Sequence, residues 1–325
     1  MVGKGQHGAL ERAVFVARRH LPDVVVLATN RNAERRAVIR DYIFRAARHV
    51  THSLTIKSGD AYFVLSTTDG VVSRTIYKYG SFDGPLFERV FRALSAIKGR
   101  PFSLRGKLFL DIGANIGSTT VEACINYGAA GGVAFEPAPT NFQYLKHNLI
   151  ANHLEERVTA HCIAVSDRDG SAALELAGTH WGDHRVRSSA FYGANAFGEL
   201  DREVIAVRAR KLDSLIEEGD LAIEDIGLAW IDVQGHEASI LAGATGLTTT
   251  DVPVVIEYWP YGLRRAGGLD AMDFQISSHY THYVDTQEQF LSESHPAIRP
   301  VSDLAQVRAR YTEPGGHTNL VLLKQ

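Results

Sequence analysis

Apolar positions follow two regimes along this chain, and the change falls near Pro101. Before it, Val38, Ile39, Tyr42, Ile43 and Ala46 recur at helical spacing in an arginine- and alanine-rich stretch, which predicts helices packed on another body. Segments 61–65 and 71–79 are β-branched and aromatic, with Thr68, Asp69 and Gly70 between them, so they predict a β-hairpin. Pro85 suits an early helix position, and Phe87, Val90, Phe91 and Leu94 then share one helical face.

Beyond Pro101, short apolar runs alternate with helical segments. Strands are expected at 107–112, 132–136 and 158–165, with helices at 118–127 and 140–151 between them. Segment 177–201 breaks this rhythm with glycine, histidine, tryptophan and asparagine; a loop of that length is a candidate substrate lid. The rhythm resumes with runs at 204–209, 228–233 and 252–258, and the runs at 280–284 and 318–323 complete a seven-stranded sheet. Such alternation predicts an α/β fold: a mainly parallel sheet with helices on both faces. Residues 1–104 are expected to form a helical and hairpin extension packed on a core domain of residues 105–325.

Composition narrows the function more than the fold. With 45% hydrophobic and 22% charged residues the chain is an ordinary globular protein. Lys and Arg number 34 against 37 Asp and Glu, a net charge of −3, so no broadly basic surface drives nucleic-acid binding. Two cysteines, Cys124 and Cys162, are too few for a disulfide framework and suggest a reducing compartment. No apolar run reaches the roughly 18 residues of a membrane span, and charges interrupt any secretory core near the N-terminus. The expected location is cytoplasmic.

The chemistry is concentrated at strand ends. The run from Leu108 to Thr120 is an apolar strand ending in Asp111, a turn through Gly113, Ala114, Asn115 and Gly117, and a helix opening at Ser118 and Thr119. That arrangement holds a nucleotide-like ligand at the carboxyl edge of an open sheet. Asn115 and Ser118 stand where a dinucleotide fingerprint needs glycines, which counts against NAD. Asp111 would repel a pyrophosphate and attract an ammonium group, as S-adenosylmethionine carries. Glu136, before Pro137, ends the second strand and suits hydrogen bonds to ribose hydroxyls, although alone it would be an ordinary solvated strand end. A third cluster, Asp232, Gly235, His236 and Glu237, follows the fourth core strand, and Glu257, Tyr258 and Trp259 close the fifth.

These segments together, with Asn141, Leu145, Asn148, Leu212 and Asp213, resemble the FkbM family of S-adenosylmethionine-dependent methyltransferases over residues 107 to 325. The Asp232-Val233-Gln234-Gly235-His236-Glu237 run is the most telling part. The resemblance implies a class I, Rossmann-like methyltransferase fold and O-methylation of a hydroxyl on a sugar, glycolipid or polyketide, with amide N-methylation or a noncatalytic scaffold as alternatives. It implies a cofactor set of Asp111, Gly113, Ala114, Asn115, Gly117, Ser118, Thr119, Glu136, Pro137, Ala164 and Asp232. Many relatives carry lysine in place of Trp230 and an acid in place of Gln234, so the acceptor pocket is the part expected to differ.

For the transfer itself, histidine has an ordinary pKa suited to a general base. His236 is the expected base, with Asp232 orienting it or the cofactor ammonium, and Glu237 the second choice. Trp181, Tyr192, Glu257, Tyr258 and Trp259, with Phe191 nearby, are the candidate acceptor contacts. A divalent metal on Asp232, Glu237 and Glu257 is an alternative that is not favoured, and His180 with His184 lack the helical context that would make a metal face of their spacing. The expected partner is a small-molecule or glycan acceptor, without nucleic acid, and the N-terminal extension is the candidate surface for a homodimer.

Overall fold

A computed structural model of the chain describes residues 31–188, 195–291 and 296–324. A hairpin of β1 (Ser53–Ser58) and β2 (Ala61–Ser66) comes first. The central sheet is built from β3 (Leu108–Ile112), β4 (Gly131–Phe135), β5 (Val158–His161), and later β10 (Ile226–Ile231), β11 (Val254–Tyr258), β12 (His282–Asp285), β13 (Ile298–Pro300) and β14 (Thr318–Leu323). Between them β6 (Ala164–Val165), β7 (Gly170–Leu176), β8 (Arg185–Val186) and β9 (Glu203–Arg210) make a second, four-stranded sheet.

The central order is β13-β12-β14-β11-β10-β3-β4-β5. Strands β11, β10, β3, β4 and β5 run parallel, while β14 inserts antiparallel between β11 and β12. The strands expected from sequence thus lie side by side, and β13 adds an eighth at the edge. Parallel strands covered on both faces need apolar side chains throughout, and every residue of β11 and four of the five in β3 are buried. The chain runs outward from β3 to β5 and then crosses back to β10, so the topological switch lies between β3 and β10. Four acidic residues, Asp111, Glu136, Asp232 and Glu257, fall at or just past the carboxyl ends of β3, β4, β10 and β11.

Three expectations change. Residues 71–79 are a helix, Val72–Tyr79, and not a strand. Asp69 gathers its entry, accepting the N–H of Val71 at 3.1 Å and of Ser73 at 2.6 Å, and Val72 and Ile76 bury one turn apart. Local capping and a one-sided apolar stripe outweigh β-branched propensity here. The hairpin forms one segment earlier, with β2 gripped by the helix Pro139–Ala151. Asn148 Oδ1 accepts the N–H of Val64 at 2.5 Å, and Asn152 exchanges two bonds with the Tyr62 backbone at 2.8 and 2.7 Å. Finally, the single strand expected at 158–165 breaks after His161, and Ala164 and Val165 pair with β9 in the second sheet.

The described N-terminal elements pack on the central sheet. In the helix Gly84–Lys98, the buried Phe87 stacks on Trp230 of β10, ring centroids 4.6 Å apart and 13° from parallel. Trp230 is therefore the socket of this helix, which explains an aromatic side chain at that strand position.

Asn148 is fully buried, and its Nδ2 donates to the Ile116 carbonyl at 2.7 Å. Asn148→Ala strands a donor on the hairpin and an acceptor beside the glycine turn, so it should cost about 2–4 kcal/mol. Denaturant unfolding measures this, and a change below about 1 kcal/mol would show that water or other groups replace both bonds.

Candidate active site

The turn after β3 is built by backbone, not side chains. Gly113 has φ +94, and a Cβ added there would stand 1.8 Å from the carbonyl oxygen of Asp232. Glycine is required both by conformation and by this approach of the β3 and β10 exits. The amides of Gly113 and Ala114 donate to the Phe135 carbonyl at 3.0 and 2.9 Å, tying the turn to β4. Asn115 is also left-handed, at φ 51, and its Oδ1 accepts the N–H of Ile116 at 2.7 Å. Such a conformation costs energy in a residue other than glycine and persists because its neighbours hold it. Gly117 caps the helix Ser118–Ile125 against Leu145.

Asp111 lies behind this turn. It is fully buried, its Oδ2 accepts the hydroxyls of Thr119 at 2.6 Å and Thr120 at 2.5 Å, and its Oδ1 has no hydrogen-bond partner among the described residues. Burial raises its pKa to about 6 against the pull of the two hydroxyls. Glu136, 4% exposed, accepts the N–H of Asn115 and of Ala138, each at 2.8 Å, and burial pushes it up to about 7. One carboxylate thus joins the turn after β3 to the turn after β4.

The expected lid is partly a built element. Trp181, Gly182 and Asp183 form a 3-10 turn whose Trp181 carbonyl accepts the side-chain amides of Asn115 at 2.9 Å and Asn141 at 3.0 Å. This roofs the cleft beside Glu136. Further along, Arg185 pairs with Asp183 at 2.5 Å and Glu199 at 2.7 Å, Arg202 pairs with Asp183 at 2.5 Å, and Arg265 pairs with Glu175 at 2.9 Å. The Arg185 guanidinium lies 4.4 Å from the Trp259 ring centroid. Residues 189–194, with Phe191 and Tyr192, fall outside the described residues.

The third cluster divides. Asp232, Glu237 and Glu257 each offer a carboxylate oxygen within 4.8 Å of the others. The Gln234 amide donates to Asp232 at 2.6 Å and to Glu257 at 3.0 Å, while Glu237 accepts the amides of Val233 at 3.1 Å and Gly235 at 3.0 Å. Neutral amide donors therefore orient these oxygens among the described residues. Burial raises all three carboxyls, Glu237 to about 7 and Glu257 well above its ordinary range, with Asp232 adding repulsion to Glu257. Glu237 holds its own turn and reaches neither cavity described below. His236 bonds through Nε2 to the Ser166 hydroxyl at 3.0 Å, and burial lowers it to about 4.

Two cavities meet at this edge. A smaller one is lined by Phe135, Glu136, Pro137, Ala164, Trp181 and His236 among others. A larger one, about 400 Å³, is lined by Ser118, Thr119, Trp230, Glu257, Trp259 and His317, with Val71, Phe82 and Leu86 supplied by the N-terminal elements. Gly113, Asn115, Gly182, Asp232 and Gln234 border both. The expected site residues divide between these cavities and the packing around them: Trp181 borders only the smaller cavity, and Asp111 and Gly117 border neither. His236 lines only the smaller cavity, because Gly235 turns it toward the β6 end. Tyr258 lines neither; it is a core residue whose hydroxyl donates to Asp273 at 2.5 Å.

His317 and Asn319 line the larger cavity and were not singled out from sequence, and His180, weighed there only as a metal ligand, lines it too. The available signal was Gly315-Gly316 just before the last strand, but only the insertion of β14 beside β11 brings His317 to the edge that holds Glu257.

The strand order, with its antiparallel β14 between β11 and β12, the glycine turn at the switch and the acidic strand ends define a class I methyltransferase fold. The family model described as the Methyltransferase FkbM domain matches residues 111–290, more than half of the chain, and the protein belongs to that family. Among solved structures, it is similar to a methyltransferase FkbM from Methylobacillus flagellatus KT at 15% identity, covering 78% of this chain and 55% of that one, TM-score 0.40. This chain thus spans about half the length of that relative. An O-methyltransferase from Bacillus cereus, solved in complex with SAH, is 12% identical over 92% of this chain and 94% of that one, TM-score 0.40. TYW2 from M. jannaschii, in complex with AdoMet, is 14% identical over 83% and 84%, TM-score 0.40. No curated protein matches the chain.

Gly113→Ala should abolish cofactor binding measured by calorimetry, because the new methyl group collides with backbone that cannot yield. Retained affinity would mean that the β3 and β10 exits part more easily than their pairing implies.

The pH response of His236 has a definite sign. Its folded pKa of about 4 lies below the ordinary 6.5, so the unfolded chain takes up a proton that the native site refuses, and native stability falls as pH drops from about 6.5 toward 4. His236→Gln should lose that part of the acid sensitivity, seen as a smaller fall in thermal midpoint across this window. An unchanged fall would show that the imidazole protonates in place.

Proposed function

We propose that the protein transfers a methyl group from S-adenosylmethionine to a hydroxyl oxygen of a small, largely uncharged acceptor of the sugar, glycolipid or polyketide kind. The observation that carries this is the pair of cavities meeting at Gly113, Asp232 and Gln234, one roofed and narrow, the other wide enough for an acceptor. The residues present fit the cofactor. Phe135, Ile163, Ala164 and Val165 offer an apolar slot for a flat ring, Glu136 has lone pairs left for ribose hydroxyls, and the missing Cβ of Gly113 leaves bare backbone at the junction. Buried carboxylates suit a ligand with ammonium and sulfonium charges. When bound, the cofactor supplies an electrophilic methyl carbon.

The chain must then place the acceptor oxygen in line, exclude water and accept one proton. Trp230, Trp259 and Phe197 wall the larger cavity, and Arg185, its arginine, is already paired with Asp183 and Glu199. That lining, with Asp83, Asp183, Asp232 and Glu257 around a single arginine, favours an acceptor without negative charge. For the proton we assign His317 in preference to His236. Its Nδ1 lies 3.2 Å from the Gly315 carbonyl, which can only accept, so Nδ1 carries the hydrogen and Nε2 is the basic nitrogen. As the oxygen gains the methyl group, its proton passes to Nε2. Asp232, bordering both cavities, is placed to hold the ammonium group or to stabilise the charged imidazole.

His317→Ala should keep affinity for S-adenosylhomocysteine, measured by calorimetry, and lower turnover about 10²-fold or more, whereas His236→Ala should change turnover far less. The reverse ranking would return the base to His236. Failure to bind S-adenosylhomocysteine would sink the methyltransferase reading, and transfer to amides but not hydroxyls would replace the acceptor class.

A further inference from the structure

The helix Arg31–Ala47 carries apolar residues on two opposite sides. Ala37, Phe44 and Ala47 are buried on one side, where the Phe44 ring lies 5.5 Å from Tyr77 and Asp41 pairs with Arg74 at 2.5 Å. The other side carries Val38, Ile39, Tyr42 and Ile43, which are 62%, 60%, 75% and 45% exposed, and Val50 just past the helix is 85% exposed. At helical spacing these residues fall in one stripe opposite the buried face. Arg36 borders the stripe on one flank and Arg45, paired with Asp41 at 3.1 Å, on the other; Arg35 is in line with the stripe, Arg40 and Arg48 stand beyond its flanks, and all five are exposed. A contiguous exposed stripe of this kind marks an interaction surface.

Charge decides between occupants. Residues 31–50 hold six arginines against Glu34 and Asp41. Residues 1–30 hold Lys4, Arg12, Arg18 and Arg19 against Glu11 and Asp23, so the preceding segment has the same sign and gains nothing electrostatically by covering the stripe. A second copy docking through the same face would set arginine against arginine. The first 50 residues together carry ten of the 34 Lys and Arg but four of the 37 Asp and Glu, a net +6, which leaves the rest of the chain at −9. Such asymmetry between a short arm and the body it is packed on points to an anionic surface. Exposed valine, isoleucine and tyrosine between the arginines fit the acyl boundary of a bilayer better than a nucleic-acid backbone.

We infer that this helix seats the protein on an anionic lipid surface, lying in the interface plane without crossing it. The apolar stripe enters the boundary region and the arginines meet headgroup phosphates. No helix among the described residues is long and apolar enough to span a membrane, so the contact is peripheral through this element. The helix Val72–Tyr79, against which this one packs, begins at residues that line the larger cavity. Lipid contact therefore lies on the far side of the helix Arg31–Ala47 from the element that supplies part of the acceptor wall, one helix thickness away, a separation that a long lipid-linked hydroxyl acceptor could span. That consequence rests on the function proposed above; the surface binding does not.

The test is co-sedimentation of the full chain with vesicles of phosphatidylglycerol and phosphatidylcholine in equal parts, and with phosphatidylcholine alone. Binding to the anionic vesicles only, weakened by salt, is the expected result. Ile39→Glu with Tyr42→Glu should abolish it, and Arg35→Ala with Arg36→Ala should weaken it about 25-fold, at about fivefold per arginine. These side chains are exposed, so thermal midpoint and S-adenosylhomocysteine affinity should stay at native values in both variants. No binding to anionic vesicles, equal binding to phosphatidylcholine, or retention by either variant would overturn the inference. So would lipid-free self-association, seen by sedimentation velocity and lost in Ile39→Glu with Tyr42→Glu, because it would make the stripe a contact between copies. Vesicle binding by a protein that transfers no methyl group would leave this inference standing while the proposed function falls.

Discussion

The whole site depends on one approach of backbone to backbone. Strands β3 and β10 pair in parallel, Asp111 beside Trp230 and Ile112 beside Ile231, so the two chains leave the sheet side by side. At that exit the Gly113 Cα faces the Asp232 carbonyl with no room for a side chain. Because sequence-adjacent strands diverge here, nothing else fills the space, and both cavities open from the same seam. A glycine makes the seam narrow, and the strand order makes it open.

Around the seam the fold gathers carboxylates that it does not pair with cations. Asp111 is held by two threonine hydroxyls, Glu136 by two backbone amides, Glu237 by the amides of its own turn, and Asp232 and Glu257 by one glutamine. Neutral donors keep these groups in place, but burial without a cation disfavours their charged forms and raises their pKa values, a penalty that a bound cation would relieve. The edge is thus a region where a cationic ligand is welcome and a pyrophosphate is not. The arginines nearby do the opposite work. Arg185, Arg202 and Arg265 are spent on Asp183, Glu199 and Glu175, and they fasten the strand β8 region to the helix Pro260–Arg265. Removing one partner of such a buried set leaves an uncompensated charge, so the wall behaves as a unit.

The N-terminal elements have a physical role in this arrangement. Phe87 on Trp230 fixes the helix Gly84–Lys98 to the sheet, and Asn148 and Asn152 fix the hairpin to the helix behind it. Held in this way, Val71, Phe82 and Leu86 become part of the larger cavity. Trp230 is thus both the packing anchor of the extension and part of the cavity wall that the extension completes.

The sequence by itself determined the alternating architecture, the carboxyl edge that carries the site, and the glycine turn, because periodicity and backbone conformation are local properties written residue by residue. It misread 71–79, where Asp69 and a buried stripe overrode β-branched propensity, and it could not divide 158–165 between two sheets. Tertiary structure alone decided which residues of each strand end reach which cavity. His236 and Asp232 are near neighbours in sequence, yet only Asp232 borders both cavities, because Gly235 turns the chain between them. Tyr258 and Trp259 are adjacent, yet one points into the core and the other into the wall. His317 enters only because an antiparallel last strand lands beside β11, a long-range pairing that no local pattern encodes.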